Sequence, residues 1–239
     1  MIMRYCTLRE EHDVCAAMQR PTLGAPQLND SSLSSWIALA ITLAVALIIL
    51  AALALPADAA SIPREAQRYR SVLIRSARLE LGLAAPVATL AAQLHTESRW
   101  DESARSPVGA QGLAQFMPAT REWMGEIRPD LGRADAWSPG WALRALCAYD
   151  AWLLARITAA SERDRWQMTL ASYNGGLGWI YKDQRLARSR GLDPGRWDGH
   201  VAEVNAGRSR AAWTENRGYP RRIAGREPLY AAWGRGVLK

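Results

Sequence analysis

Apolar residues recur at intervals of three and four positions in the chain after residue 60, and this interval is the repeat of an amphipathic helix. One clear stripe contains Val87, Leu90 and Leu94 and follows Pro86, which predicts a helix that begins at that proline. Runs of alternating apolar and polar residues, typical of half-buried strands, are absent from the sequence, as are internal repeats. The hydrophobic pattern therefore predicts an all-α domain.

Serine and proline residues mark where the helices are expected to begin, and glycines mark where several should end. Besides Pro86, the predicted starts are Ser61-Ile62-Pro63, Pro118, Ser138-Pro139, Ser161 with the capping acid Asp164, and Glu215. The predicted ends are Gly82, Gly175 and Gly191. The final stretch, residues 226–239, predicts a short closing helix or a frayed end.

The amino-terminal part of the chain has a different pattern. Residues 36–55 are 20 residues without a charge, which is long enough to span a bilayer as one helix. Ala57 and Ala59 follow with the spacing of a signal-peptidase site, so this segment is expected either to remain as an anchor or to be removed. The sequence thus predicts a disordered segment at 1–35, a transmembrane or signal-anchor helix at 36–55, and a globular domain at 56–239.

Composition narrows the function classes only slightly. The chain carries 30 Lys and Arg against 23 Asp and Glu, a formal net charge of +7, which suits an anionic polymer or surface. No strand-rich nucleic-acid-binding pattern accompanies the basic residues, so no nucleic-acid partner is expected. Three cysteines, Cys6, Cys15 and Cys147, predict no disulfide, and no cysteine lies at metal-ligand spacing from His95 and Glu97. Neither a metal nor another cofactor is expected.

One carboxylate has a setting that suggests chemistry. Glu97 extends the apolar stripe of the helix that follows Pro86, so its side chain is expected to be partly withdrawn from water. Desolvation disfavours the charged form of a carboxyl group and raises its pKa, as a general acid requires near neutral pH. The glycine-containing loop at 106–112 follows, and it delivers Gln115 and Met117, an amide and an adaptable apolar surface.

Four segments in a fixed order resemble the soluble lytic transglycosylase domain, a relative of goose-type lysozyme, over about residues 64–230. The segments are Glu97-Ser98, then Gly112-Leu113-Ala114-Gln115-Phe116-Met117-Pro118-Ala119-Thr120, then Ser172-Tyr173-Asn174-Gly175-Gly176, then Glu215 with Tyr219, Arg222 and Ile223. Ala114, Ser172 and Pro220 depart from the residues that are common in the family, but no reacting group is lost.

The resemblance implies a lysozyme-like helical fold and cleavage of the bond between N-acetylmuramic acid and N-acetylglucosamine in peptidoglycan. Glu97 is expected to protonate the leaving oxygen and then to accept the proton of the muramic 6-hydroxyl group, which closes a 1,6-anhydro ring. Tyr219 is expected to lie near Glu97 and orient it. The expected substrate-binding residues are Ser98, Gln115, Met117, Tyr173, Asn174 and Tyr219.

A water-using muramidase of the same fold is the nearest alternative, because goose-type relatives add carboxylates that position water. Asp101, Glu102 and Asp150 are the candidates; Asp150 falls on an apolar helical stripe and is interpreted as a buried structural carboxylate, whereas the other two are expected to face solvent. Trp100 and Trp179 are the tryptophans best placed by the motifs to stack on sugars. A non-catalytic peptidoglycan-binding protein is the alternative from a different class.

The combination of one catalytic domain and a moderately apolar anchor favours a phage endolysin that lyses its host. A wall-opening transglycosylase of a secretion or conjugation system is the alternative biological role. The predicted partners are glycan strands and the inner membrane, the latter through residues 36–55, with the catalytic domain in the periplasm, either anchored or released. No obligate protein partner is evident from the sequence.

Overall fold

A computed structural model of the chain describes residues 61–239. The predicted disordered segment at 1–35 and the predicted membrane helix at 36–55 lie outside the described residues. Between residues 61 and 239, no helix combines the length and the hydropathy that a bilayer span requires.

The described part of the chain is helical, as the hydrophobic pattern predicts. Its α-helices are α1 (Arg64–Leu81), α2 (Val87–Ser98), α3 (Pro118–Ile127), α4 (Pro139–Leu154), α5 (Glu162–Gly175), α6 (Leu177–Ser189) and α7 (Arg210–Arg226). Short 3-10 helices lie at Pro129–Leu131, Val201–Glu203 and Glu227–Trp233. In residues 61–239, β-pairing is limited to isolated bridges in the loop between α2 and α3.

The predicted starts of α1 to α5 are confirmed. Pro118 and Pro139 occupy the first helical position, where the missing N–H group costs nothing and the fixed φ already suits a helix. Ser161 is the N-cap of α5, and its Oγ accepts a hydrogen bond from the Asp164 amide at 3.1 Å. The Ser161 hydroxyl in turn donates to the Asp164 carboxylate at 2.6 Å.

The prediction that Glu215 opens a helix is wrong. Helix α7 begins at Arg210, and Ser209 caps it by accepting a hydrogen bond from the Ala212 amide at 3.2 Å. The apolar pattern missed this start because the first turn of α7 is largely exposed, and the buried residues of the helix begin only at Asn216. Glu215 therefore lies in the middle of the helix, and Pro220 lies inside it as well.

Helix α2 is the centre of the larger apolar core. Every residue from Val87 to Leu94 is buried, and the helix packs against α1, α7 and the 3-10 helix Glu227–Trp233. Burial on all sides fixes the direction of α2 and therefore the position of Glu97 in its last turn.

The carboxyl-terminal stretch is fastened to α2 rather than frayed. The buried Glu227 carboxylate accepts hydrogen bonds from the Thr89 hydroxyl at 2.6 Å and from the amides of Val237 at 3.1 Å and Leu238 at 3.2 Å. These donors satisfy a charge that would otherwise be costly inside the core. A smaller apolar cluster around Trp197 lies among α5, α6 and the segment that precedes α7.

Candidate functional site

Glu97 lies on a cavity of about 420 Å³. Helix α2 ends directly after Glu97 and Ser98, because Arg99 and Trp100 adopt the left-handed conformation, with φ of 55° and 70°. The Glu97 side chain is partly buried and reaches the cavity from this helix end. The cavity is also lined by five residues predicted from the motifs: Gln115, Met117, Tyr173, Asn174 and Tyr219.

The protonation of Glu97 is set by competing effects. Burial raises its pKa to about 7, and this effect outweighs the hydrogen bond from Tyr219 and the positive charge of Arg222, both of which lower the pKa. The carboxylate of Glu215 adds a smaller upward contribution. Near neutral pH Glu97 is therefore present in both forms, which suits a group that has to give a proton and take one back.

Tyr219 is the direct partner of Glu97. Its hydroxyl donates a hydrogen bond to Glu97 Oε1, and the ring is buried in the face of α7 that packs against α2. Burial, together with the neighbouring Glu97 charge, raises the pKa of Tyr219 well above its usual value, so the phenol remains a donor. This contact orients one oxygen of Glu97 and leaves the other without a hydrogen bond from Tyr219.

The loop between α2 and α3 forms a second wall of the cavity. Gln111 and Phe116 exchange backbone hydrogen bonds at 3.0 and 3.1 Å, which closes a tight turn around Gly112. Gly112 has a φ of 69°, and a Cβ atom built on it would lie 1.9 Å from the Ala136 carbonyl oxygen. Glycine is therefore required at this position for two reasons, the positive φ of the backbone and the close approach to Ala136.

We expect Gly112→Ala to lower the free energy of unfolding by about 2 to 4 kcal/mol, because the new methyl group must displace the Ala136 backbone. Gly109→Ala is the matched control, since Gly109 also has a positive φ, 91°, but nothing lies within 4 Å of the position that a Cβ atom would take there. Gly109→Ala should lower the free energy of unfolding by about 1 kcal/mol. Urea unfolding of both variants measures the difference, and equal losses would contradict the close-approach argument.

Gln115 and Met117 enter the cavity in different ways. The Gln115 side-chain nitrogen donates to the carbonyl oxygens of Ala104 at 3.0 Å and Gly112 at 2.8 Å, so the amide holds the loop together. Its carbonyl oxygen is the part of the side chain left to contact a ligand. Met117 is 42% exposed at the start of α3 and supplies an apolar surface.

Tyr173 and Asn174 come from the end of α5. The Tyr173 hydroxyl donates to the Ala114 carbonyl oxygen at 2.7 Å, which ties α5 to the loop. Asn174 is exposed, and its Oδ1 accepts a hydrogen bond from Asn216 Nδ2 at 3.2 Å. Helix α5 ends at Gly175, and Gly176 caps it with a φ of 92°, so the Asn-Gly-Gly break places both side chains on the cavity.

Two residues that were predicted to contact the glycan, Ser98 and Trp100, do not lie on the Glu97 cavity. Ser98 does not line the cavity; its hydroxyl accepts a hydrogen bond from the Trp100 amide at 3.1 Å and thereby stabilises the turn after α2. The prediction that Trp100 stacks on sugars is wrong, because the ring is 1% exposed and its Nε1 donates to the Tyr230 hydroxyl at 2.7 Å. Trp100 fills the core because the left-handed turn directs it inward against Tyr69 and Trp233. Trp179 lines a second, neighbouring cavity.

Several cavity residues were not predicted as site residues. They include Thr96, Thr120, Tyr149, Glu215 and Arg222. Glu215 and Arg222 form an ion pair at the cavity, and their spacing from Tyr219, four residues before and three after, places all three on one face of α7. That spacing was visible in the sequence. Tyr149 comes from α4 and had no sequence signal.

The other candidate carboxylates do not line this cavity. Asp150 is fully buried, and burial raises its pKa well above the usual value; its one described polar contact is with Gln93 Nε2, at 3.5 Å. Asp101 and Glu102 are exposed, and they bind Ser103 and the Tyr69 hydroxyl, respectively. Among residues 61–239, no three His, Cys, Asp or Glu residues are grouped as metal ligands would be.

Comparison with known sequences gives matches to lytic transglycosylases. The model of the transglycosylase SLT domain matches residues 78–193. Membrane-bound lytic murein transglycosylase F of Pasteurella multocida is 35% identical over 109 residues, which are 45% of this chain and 21% of that protein. Membrane-bound lytic murein transglycosylase F 2 of Alkalilimnicola ehrlichii is 35% identical over 113 residues, 47% of this chain and 24% of that protein. The chain thus spans about a fifth to a quarter of the length of these relatives.

Solved structures show the same fold at lower identity. The 70 kDa soluble lytic transglycosylase of Escherichia coli aligns with a TM-score of 0.52 and 22% identity, over 71% of this chain and 25% of that one. An inactive mutant of the lytic transglycosylase Slt of Pseudomonas aeruginosa aligns with a TM-score of 0.51 and 18% identity, over 72% and 25% of the two chains. Residues 78–193 therefore resemble a transglycosylase SLT domain in sequence, and the chain shares the lysozyme-like helical fold of these solved structures.

Proposed function

We propose that this domain is a peptidoglycan lytic transglycosylase in which Glu97 is the single indispensable acid and base. The observation that carries the proposal is a carboxyl group with a pKa raised to about 7 by burial, placed on a cavity and bound by a buried tyrosine. The names of the murein transglycosylases with which the chain shares 109 to 113 aligned residues support the same substrate.

In the proposed reaction, protonated Glu97 donates its proton to the glycosidic oxygen between N-acetylmuramic acid and N-acetylglucosamine, and the bond to the anomeric carbon breaks. The carbonyl oxygen of the substrate's own N-acetyl group stabilises the positive charge at that carbon. The Glu97 carboxylate then accepts the proton of the muramic 6-hydroxyl group, whose oxygen bonds to the anomeric carbon. Glu97 is restored, and the product ends in a 1,6-anhydro ring.

The distribution of carboxylates favours this reaction over hydrolysis. Inverting hydrolases need a second carboxylate that activates water, but Asp150, Asp101 and Glu102 do not line the cavity. Asp150 is also fully buried, and its pKa is raised well above the usual value by that burial. Glu215 does line the cavity, where it is paired with Arg222. A water-using muramidase that recruits Glu215 is therefore the second candidate.

We further propose that the domain acts in the periplasm on glycan strands, held at the inner membrane by residues 36–55 or released from it. The apolar pattern of that segment and the membrane-bound relatives support this placement. Lysis of a host by a phage is the favoured role, and local opening of the wall for a secretion or conjugation system is the alternative.

Digestion of purified sacculi by the full-length chain tests the proposed activity. Sacculi lose turbidity as glycan strands are cut, and we expect soluble muropeptides to accumulate with enzyme and time. If the chain co-sediments with sacculi and releases no fragments, the function is binding, and the catalytic assignment is wrong.

The pH dependence of cleavage should report the protonation of Glu97. Because Glu97 must be protonated to act as the acid, kcat/KM should fall about tenfold per pH unit above pH 7. Tyr219→Phe removes the hydrogen bond that lowers the pKa of Glu97, so the alkaline limb should move upward by about one pH unit.

Tyr173→Phe is the matched control for that measurement, since it removes a hydroxyl group that binds the Ala114 carbonyl oxygen rather than Glu97. The alkaline limb of its pH profile of kcat/KM should lie at the same pH as in the unmodified chain. An unmoved or lowered limb in Tyr219→Phe would contradict the assignment of the Tyr219 hydroxyl as a donor to the reacting carboxyl group.

A further inference from the structure

A second cavity of about 400 Å³ lies beside the Glu97 cavity. Asn174 and Glu215 line both cavities, so a chain-like ligand in the first can continue into the second. The remaining walls come from the end of α5, the start of α6 and the start of α7. They include Gly175, Trp179, Gly207, Arg208, Ser209 and Ala212.

Arg208 is the unusual residue of this second cavity. It is only 9% exposed, and its Nε and Nη1 atoms are buried without a hydrogen-bond partner among the described residues. Its Nη2 atom donates to Asp183, which also accepts a hydrogen bond from Arg217 at 2.7 Å. Two buried guanidinium groups thus share one carboxylate, and the cluster keeps one positive charge in excess. Unpaired donors and uncompensated charge of this kind are costly unless an acceptor is supplied.

The surroundings of Arg208 add to the attraction for an anion. The cavity opens on the amino-terminal end of α7, where Ser209 and Ala212 lie, and the helix dipole favours negative charge there. The Lys182 ammonium lies 4.3 Å from the centroid of the Trp179 ring, and the Arg208 guanidinium lies 5.4 Å from it. Among the described residues that line this cavity, Glu215 is the one carboxylate that could repel an anion, and it is paired with Arg222.

We propose that the second cavity is a subsite for a carboxylate carried by muramic acid, with Arg208 as the residue that binds it. This inference rests on the proposed function, because it assumes that a glycan strand occupies the Glu97 cavity. The carboxylate has two possible sources, the lactyl group of a bare muramic acid and the acidic residues of a stem peptide, and both present the same chemistry to Arg208. The Trp179 ring forms an apolar wall for the sugar or peptide that carries the carboxylate.

The test measures binding by calorimetry with the full-length Glu97→Gln chain in detergent, so that no ligand is cleaved. One ligand is a tetrasaccharide of alternating N-acetylglucosamine and N-acetylmuramic acid, which carries lactyl carboxylates; the other is the neutral N-acetylglucosamine tetramer. We expect the muramic tetrasaccharide to bind about tenfold more tightly, the size of one charge-assisted hydrogen bond. Adding Arg208→Gln should remove this preference and leave binding of the neutral tetramer unchanged.

Control variants separate the charge from the fold. Arg210→Gln removes the same charge from an exposed residue two positions away and should retain the full preference. Arg208→Lys keeps a cation beside Asp183 and should retain part of it. Tetrasaccharides that carry stem peptides, with carboxylates either free or amidated, distinguish the two sources: a preference for the free peptide assigns the subsite to the stem, and its absence assigns it to the lactyl group.

Failure of the proposal differs from failure of the proposed function. If neither tetrasaccharide binds, the glycan function is wrong. If both bind with equal affinity, or if Arg208→Gln weakens both equally, the glycan function stands and the carboxylate subsite is overturned.

Discussion

Glu97→Gln is expected to lower the rate of glycan cleavage by about a thousandfold or more, because glutamine can neither donate the proton to the leaving oxygen nor accept it back. Glutamine keeps the size of the side chain and can still contact the Tyr219 hydroxyl, so glycan binding should persist. Fragment release from purified peptidoglycan measures the loss. Glu126→Gln, an exposed change outside the cavity, should cleave at the unmodified rate.

The same variant should also remain folded, and this separates a catalytic role from a structural one. The pKa of folded Glu97 is raised above its unfolded value, so its protonated form contributes stability that is present at low pH and is lost as the pH rises through about 7. The glutamine amide stays neutral and carries no such cost when the pH is high. Thermal melting at pH 8 should therefore show Glu97→Gln to be at least as stable as the unmodified chain; a large loss of stability would mean that Glu97 supports the fold.

Arg217→Leu is expected to lower the free energy of unfolding by about 3 to 5 kcal/mol, the largest stability effect among the variants considered. The Arg217 guanidinium donates to Asp183 at 2.7 Å and to the carbonyl oxygens of Ala202 at 3.0 Å, Val201 at 3.1 Å and Val204 at 2.9 Å. Leucine leaves these buried acceptors short of a donor. It also removes the contact that holds the segment before α7 against the smaller apolar cluster.

Arg221→Leu is the matched control, because it makes the same change at an exposed position on the same helix. It should alter stability by less than about 0.5 kcal/mol. Urea unfolding measures both variants. Equal losses in the free energy of unfolding would mean that the buried cluster of Arg217, Arg208 and Asp183 does not stabilise this part of the domain. The argument for an excess positive charge at Arg208 would then lose its structural basis.

Helix starts could be predicted from the sequence where one residue determines them. Pro118 and Pro139 can occupy a first helical turn without losing a hydrogen bond, and Ser161 with Asp164 satisfies the free amides of another. The start of α7 could not be predicted in the same way, because the residues after Ser209 are largely exposed and the buried face of the helix begins only at Asn216. Because the motif begins at Glu215, the predicted start of α7 was five residues later than the observed one, Arg210.

Some residues of the candidate site could likewise be predicted from the sequence, and others could not. Glu97 and Tyr219 were predicted as neighbours from the resemblance, and the structure brings them into hydrogen-bond contact although they are 122 positions apart. The fate of Trp100 could not be predicted, because only the left-handed turn after α2 decides whether its ring faces the cavity or the core. Arg208 gave no signal either: its buried, unpartnered nitrogens arise from the packing of α6 against the segment before α7.

The end group of the released muropeptides tests the central claim most directly. Purified peptidoglycan is digested by the full-length chain in water enriched in oxygen-18, and the fragments are analysed by mass spectrometry. The proposed reaction predicts muramic ends that are lighter by one water than reducing ends and that contain no oxygen-18, because the muramic 6-hydroxyl group is the nucleophile. Reducing ends that contain oxygen-18 would show that water attacks the anomeric carbon, and the domain would then be a muramidase.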